Sequence, residues 1–304
     1  MNVHRSTISR ELSRNIAARG RTSGFYVAAN AQRKTSIRHR YKPKQIKLTL
    51  ELKEQIVSYL RYDKWSPEII SHKLKQQVGS MVSHETIYQW IWKAKKSNHR
   101  DYSAYRDLYK ELKHGKRRQK RGNIKDNRGV ILNRTHISER PSVVNERKRI
   151  GDIEVDLMMG KDHKSALLVM TDRSTLVTMI EKLPGKQAKD VYLKMKKRLS
   201  NFDSSWVKTI TFDNGKEFAE HQKIGKLLNA KTYFTTPYTS QEKGTVENRI
   251  GVIRRFFPKK TDLRDVSELR IKEVEKLINN RPIRKLNYIR PIQKLKSRCV
   301  AYMS

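Results

Sequence analysis

The chain has 304 residues, with 68 Lys or Arg against 30 Asp or Glu, for a formal charge of +38. A charge that large repels itself and calls for a polyanionic partner; nucleic acid fits better than a membrane, because no apolar run approaches the ~18 residues needed to span a bilayer. The single cysteine, Cys299, excludes an internal disulfide framework and a Cys-based zinc site, and the N-terminus carries charge without the apolar core of a signal peptide, which places the protein in the cytoplasm, on the nucleoid.

From the start, Val3 to Leu12 reads as the recognition helix of a helix-turn-helix, with Ile8 and Leu12 one turn apart on an apolar face. Arg5, Ser6, Thr7, Ser9 and Arg10 would then face DNA, and an ordinary amphipathic surface helix is the alternative. Residues 1–35 are assigned to this partial N-terminal unit and 36–47 to a basic linker, since Arg38, Arg40, Lys42, Lys44 and Lys47 come with almost no apolar periodicity. Residues 48–96 allow a complete three-helix unit. Leu52, Ile56 and Leu60 mark a first helix, Ser66-Pro67 starts a second, and Ser83 caps a third in which Ile87 and Ile91 face inward. His84, Glu85, Tyr88 and Gln89 are left to reach a major groove; a bundle that binds only protein is the alternative, and the basic flanks argue against it. Residues 97–146 form a second basic linker, in which Lys116, Arg117, Arg118, Lys120 and Arg121 are expected to settle on a phosphate backbone.

From residue 147 to 304 the pattern changes to α/β. Ile153, Val155 and Leu157 alternate with Asp152, Glu154 and Asp156 in a period-2 strand with an acidic face. Residues 166–170 and 176–180 are two more strands, 187–199 a helix, 207–213 a fourth strand, 216–228 a helix and 232–234 a fifth strand. Thr239 and Glu242 fit a capping box that opens a helix with an apolar stripe of Val246, Ile250, Ile253 and Phe257, stopped by Pro258. Residues 266–278 are a last long helix. The residues alone support a mixed sheet covered by helices and no finer fold.

A carboxylate ending a strand, Asp213, with another on a later helix, Glu247, can build a divalent-cation site of hard oxygen ligands, and the first strand supplies a third. Asp152, Glu154 and Asp156 share one face there, so geometry does not choose among them. With 33 residues between Asp213 and Glu247, the set Asp156, Asp213 and Glu247 resembles the DDE triad of bacterial transposases, closest to the insertion-sequence-thirty family.

That resemblance implies a ribonuclease-H-like, integrase-type core with a mixed five-stranded sheet behind an all-α helix-turn-helix region. It implies a transposase that binds the terminal inverted repeats of an element and carries out metal-dependent cleavage and strand transfer. Two Mg²⁺ ions, with Mn²⁺ as substitute, would be held by Asp156, Asp213 and Glu247. Arg254 would grip the adjacent phosphate, and Glu154 and Asn248 would support the ligands. The partners implied are double-stranded DNA, as element ends and target, and further copies of the chain in a homodimer or higher oligomer on DNA. The family carries a scaffold helix before the first recognition helix, so the chain reads as short at its start. Asp152, Ile153 and Val155 stand where the family more commonly has histidine, tryptophan and glycine. A regulatory DNA-binding protein without activity, or a nuclease without strand transfer, are the competing readings. Gly251, mid-helix at a cost of roughly 1 kcal/mol relative to Ala, is explained either by DNA approaching or by close helix packing.

Overall fold

The computed structural model describes residues 3–41, 48–78, 82–113, 131–202, 206–237 and 239–300; the basic run Lys116–Arg121 lies outside these. The chain divides into two compact units, Met1–Thr49 and Leu50–Ser304.

In the first unit, α1 (Arg5–Asn15) begins at His4, whose imidazole accepts from the Ser6 N–H. A second helix, α2 (Ala28–Tyr41), occupies much of what the sequence marks as linker. Its apolar anchor is one small residue, Ala31, so the usual periodic signal is missing. Polar ties to the end of α1 replace it: Arg38 donates to Asn15 Oδ1, and Lys34 donates to the Asn15 and Ile16 carbonyls at 3.3 Å. A cation there offsets the negative end of α1. Ile8 and Leu12 stay 51% and 38% exposed, so within this unit the apolar face of α1 is not what α2 covers.

The second unit opens with α3 (Leu50–Arg61), α4 (Pro67–Val78) and α5 (His84–Lys96). Ile56, Leu60, Ile70, Leu74, Ile87 and Ile91 form their fully buried centre. Pro67 takes the first position of α4, where its missing N–H costs nothing. Ser83 caps α5 by accepting from the Thr86 N–H.

After a short α6 (Ser142–Glu146), the sheet is built from β1 (Asp152–Met159), β2 (Ala166–Asp172), β3 (Thr178–Leu183), β4 (Thr209–Phe212) and β5 (Lys231–Phe234). The strand order is β3-β2-β1-β4-β5, antiparallel across β1–β2–β3 and parallel across β1–β4–β5. Between and after these strands come α7 (Ala188–Leu199), α8 (His221–Leu228), α9 (Gly244–Ile253), α10 (Glu268–Asn279) and α11 (Pro291–Val300). This is the ribonuclease-H-like arrangement. One sheet face, with Ile153, Val155, Leu168 and Ile210, packs on α7 and α8. The other, with Met158, Leu167, Val169 and Ile180, packs on α9 and α10. Burial on both faces is why β2 reads as a continuous apolar run.

Gly151 feeds the chain into β1 with φ +93°, and a Cβ there would lie 1.8 Å from the Trp206 carbonyl oxygen, so no side chain fits.

Four local expectations are corrected. β3 starts at Thr178 rather than 176, because Asp172 accepts from the Ser174 and Thr175 N–H groups and holds Leu176 (φ +61°) in a turn. The segment 216–228 is a 3-10 turn followed by α8, not one helix. The Thr239–Glu242 capping box does not form, since Glu242 instead accepts from Thr236 N and Thr236 Oγ1 at 2.7 and 3.0 Å. The helix after it ends at Ile253, so Phe257 completes the buried stripe from a turn.

Candidate active site

The three carboxylates of β1, equivalent by periodicity, have different partners. Asp152 is fully buried, with a two-pronged bond from Arg149 at 2.8 and 2.9 Å and a third from Thr209 Oγ1 at 2.7 Å. Glu154 is fully buried against the Arg173 guanidinium, and its other oxygen accepts from the Val246 N–H at 2.8 Å, in the first turn of α9. Only Asp156 keeps solvent access, its side chain 24% exposed.

Asp213 follows the last residue of β4, on the strand beside β1, and its side chain is 32% exposed. Between the two acids lies the ammonium of Lys243, 7% exposed, with Nζ 3.5 Å from Asp156 Oδ1 and 3.6 Å from Asp213 Oδ2. It donates to the Val155 carbonyl at 3.2 Å. The carboxylate separations are those of ion pairs rather than hydrogen bonds. Burial pushes the Asp156 carboxyl above its usual range; Lys243 opposes this and Asp213 adds to it. Two acids on adjacent parallel strands therefore converge on one buried cation.

Lys243 ends the 3-10 turn Ser240–Lys243, and α9 begins at the next residue. Glu247 lies one turn further and is exposed, as is Asn248. The structure does not gather Glu247 with Asp156 and Asp213: among the described residues no group of three or more His, Cys, Asp or Glu side chains is placed to hold a metal ion. Along the outer face of α9, a Cβ at Gly244 or at Gly251 would meet nothing within 4 Å among the described residues. No described neighbour packs closely at Gly251, and Gly244, Glu247 and Gly251 line one open strip.

Inward, α9 is tied by charge. The Arg249 guanidinium, 4% exposed, donates to Thr178 Oγ1 at 2.8 Å and the Ile278 carbonyl at 3.2 Å. Burial, with Arg281 nearby, holds Arg249 down to about 9. Arg254 donates to the Met159 carbonyl, three residues beyond Asp156 and so roughly 10 Å along β1. Its Nη1 is buried without a hydrogen-bond partner, and burial lowers its affinity for the proton.

Arg255 joins the site to the three-helix unit by donating to the carbonyls of Lys64 and Glu111. Arg284 pairs with Glu68 at 2.6 Å, and His72 stacks on Tyr288 with ring centroids 3.8 Å apart. On α5, His84, Glu85 and Gln89 are exposed, and Tyr88 is half-buried with Glu68 and Arg255 close by. The same surface continues through Trp92, Lys93 and Lys96, which line one concavity with Glu85, Tyr88 and Gln89. Sequence reasoning stopped one turn short, although an exposed tryptophan followed by Lys93, Lys95 and Lys96 continues the i, i+4, i+7 row from Glu85. In the first unit Arg5, Thr7, Ser9 and Arg10 are exposed and Ser6 half-buried, with Arg10 folded back onto Ser6. No described helix is long and apolar enough to cross a membrane.

Paired carboxylates are hard oxygen donors of the kind that Mg²⁺ and Mn²⁺ take, and the Lys243 ammonium already stands between them as a cation. The donor set thus fits a divalent ion at Asp156 and Asp213.

No family model matches the chain. It is 40% identical over 295 residues to the transposase for insertion sequence element IS4351 of Bacteroides fragilis, covering 97% of this chain and 87% of that one. It is 32% identical over 296 residues to the transposase for insertion sequence element IS1086 of Cupriavidus metallidurans, covering 95% and 85%. Against transposase InsI for insertion sequence element IS30A of Escherichia coli K12 the identity is 32% over 299 residues, covering 96% and 75%. Among solved structures, the catalytic core domain of BIV integrase aligns at 20% identity and a TM-score of 0.38, covering 50% of this chain and 98% of that one.

Proposed function

Because the chain belongs to the IS30 family of insertion-sequence transposases, we propose that Asp156, Asp213 and Glu247 form the divalent-cation site at which it cuts element ends and joins them to target DNA. The observation that carries this reading is the convergence of Asp156 and Asp213, from neighbouring parallel strands, on one buried cation. Glu247 is offered from the open strip of α9, one turn beyond that cation. When bound, divalent ions supply Lewis acidity toward the phosphate and lower the pKa of an attacking water.

The chain's own residues do the rest. Glu154 fixes the start of α9 to β1 through the Val246 N–H, so the turn carrying Glu247 is held against the strand carrying Asp156. The bare strip at Gly244 and Gly251 lets a sugar-phosphate backbone lie close to α9. Arg254, half-buried just past α9, would present the rest of its guanidinium to a phosphate beyond the end of β1. Residues 48–96 read the element end through α5, and residues 147–304 cut. Fixed contacts from Arg255 and Arg284 set the register between reading and cutting.

Cleavage and strand transfer on element-end DNA, with Mg²⁺ or with chelator, tests the proposal. Asp156→Asn, Asp213→Asn and Glu247→Gln should each abolish both products while DNA affinity holds or rises, because a negative charge is lost and no basic contact is removed. Full activity of Asp156→Asn would remove the site from this position. Cleaved ends without joined products would reduce the proposal to a nuclease.

A further inference from the structure

Lys243 belongs to none of the residues that the DDE resemblance assigns, yet it is the cation that stands between Asp156 and Asp213. Its position is specific: a 7%-exposed ammonium 3.5 Å from Asp156 Oδ1, 3.6 Å from Asp213 Oδ2 and 3.2 Å from the Val155 carbonyl. Two half-buried carboxylates facing each other without a cation would repel, and a lysine brought out of water needs partners of this kind. Three oxygens at 3.2–3.6 Å hold the ammonium, and two of them belong to the carboxylates that would be the hard donors of a divalent ion. Lys243 and a divalent ion therefore compete for the same two acids.

We propose that Lys243 is a resident counter-cation: it neutralises the Asp156–Asp213 pair before the site is loaded and gives up that place when a divalent cation is taken up. The inference rests on the metal-site reading above. Lys243 is well placed for such a move. It stands at the junction between the 3-10 turn and α9, with φ −112° and ψ 32°, outside the regular helix. The next residue is an exposed glycine at which an added Cβ would meet no described neighbour within 4 Å, which leaves the junction room to shift. It donates to a backbone carbonyl, Val155, which remains in place while the ammonium leaves.

Mn²⁺ binding to the whole protein without DNA, measured by calorimetry, tests this, with thermal melting in chelator alongside. Lys243→Met and Lys243→Gln should each bind Mn²⁺ at least tenfold more tightly than the unchanged chain, a difference of about 1.4 kcal/mol. Each should melt lower in chelator and gain more from added Mn²⁺. Lys243→Gln keeps a neutral donor for the Val155 carbonyl, so it separates the charge from the anchor. If both variants melt lower but bind Mn²⁺ within twofold of the unchanged chain, Lys243 is an anchor only and the inference falls. Asp156→Asn distinguishes the two levels of the argument. Loss of Mn²⁺ binding in that variant, with unchanged affinity in the lysine variants, leaves the metal site standing without the counter-cation. Binding indifferent to Asp156→Asn overturns both.

Discussion

Gly251→Ala separates what α9 does for the fold from what it does for DNA. The residue lies inside the helix, has no positive φ, and an added Cβ meets nothing within 4 Å. The methyl group therefore strains nothing and buries little. Its effect is to remove backbone freedom from the unfolded chain and raise helix propensity, about 0.5–1 kcal/mol in favour of the fold. For a unit of this size that should raise Tm by roughly 1–4 °C. If DNA backbone lies along Gly244, Glu247 and Gly251, the same methyl group stands in its way, and cleavage should fall tenfold or more while the protein becomes more stable. Gly251→Leu should deepen the loss of cleavage with little further change in melting. The measurements are calorimetric melting and single-turnover cleavage of element-end DNA. A stabilised Gly251→Ala that cleaves at the original rate would show that no DNA approaches α9 there.

Other substitutions test the ties that hold the site. Glu154→Gln leaves Arg173 as an uncompensated buried charge and should cost about 3–5 kcal/mol; an unchanged melting curve would mean that this pair does not anchor α9. Arg254→Ala strips the Met159 carbonyl of its partner, so it should lower stability by about 1 kcal/mol and lose most cleavage. Arg254→Lys, which keeps the charge without the planar fork, should retain part of that cleavage, and equal cleavage by both variants would take the arginine out of the site. Burial lowers the proton affinity of His221 despite the bond to the Leu132 carbonyl. The unfolded chain thus takes up that proton first as pH falls, and stability should drop on acidification from about 6.5 downward. His221→Gln should flatten that slope, and a slope unchanged in the variant would assign the acid lability elsewhere.

The sheet was legible because its signals are local: period-2 alternation in β1, a continuous apolar run in β2, and helical spacing in α7. The choice among Asp152, Glu154 and Asp156 was not, because Arg149 is near in sequence but Arg173 and Lys243 reach β1 from a turn 19 residues away and a helix start 87 away in the chain. Lys243 was invisible for the same reason, since one lysine in a chain with 68 basic residues carries no signal until its partners are in space. The helix α2 was missed because polar ties to Asn15 and a buried alanine, rather than an apolar stripe, hold it. The capping box failed on competition: Thr236 reached Glu242 first, through both its N–H and its hydroxyl.

α9 itself is a weak helix by composition. Glycine opens it and glycine recurs at 251, and the interior one alone costs about 1 kcal/mol against alanine. What orders it is a set of buried charged groups on its inner face: Glu154 at the Val246 N–H, where a carboxylate also meets the positive end of the helix, and Arg249 reaching β3 and α10. Just past its C-terminus Arg255 reaches the three-helix unit. Buried charges of this kind give little net stability but penalise any other docking of the helix severely. A helix stabilised by packing alone could slide along the sheet by a turn at small cost. This one cannot, since each shift strands a buried charge. The turn carrying Glu247 is thereby fixed on the sheet, while Gly244 and Gly251 leave the outer strip around that exposed carboxylate open.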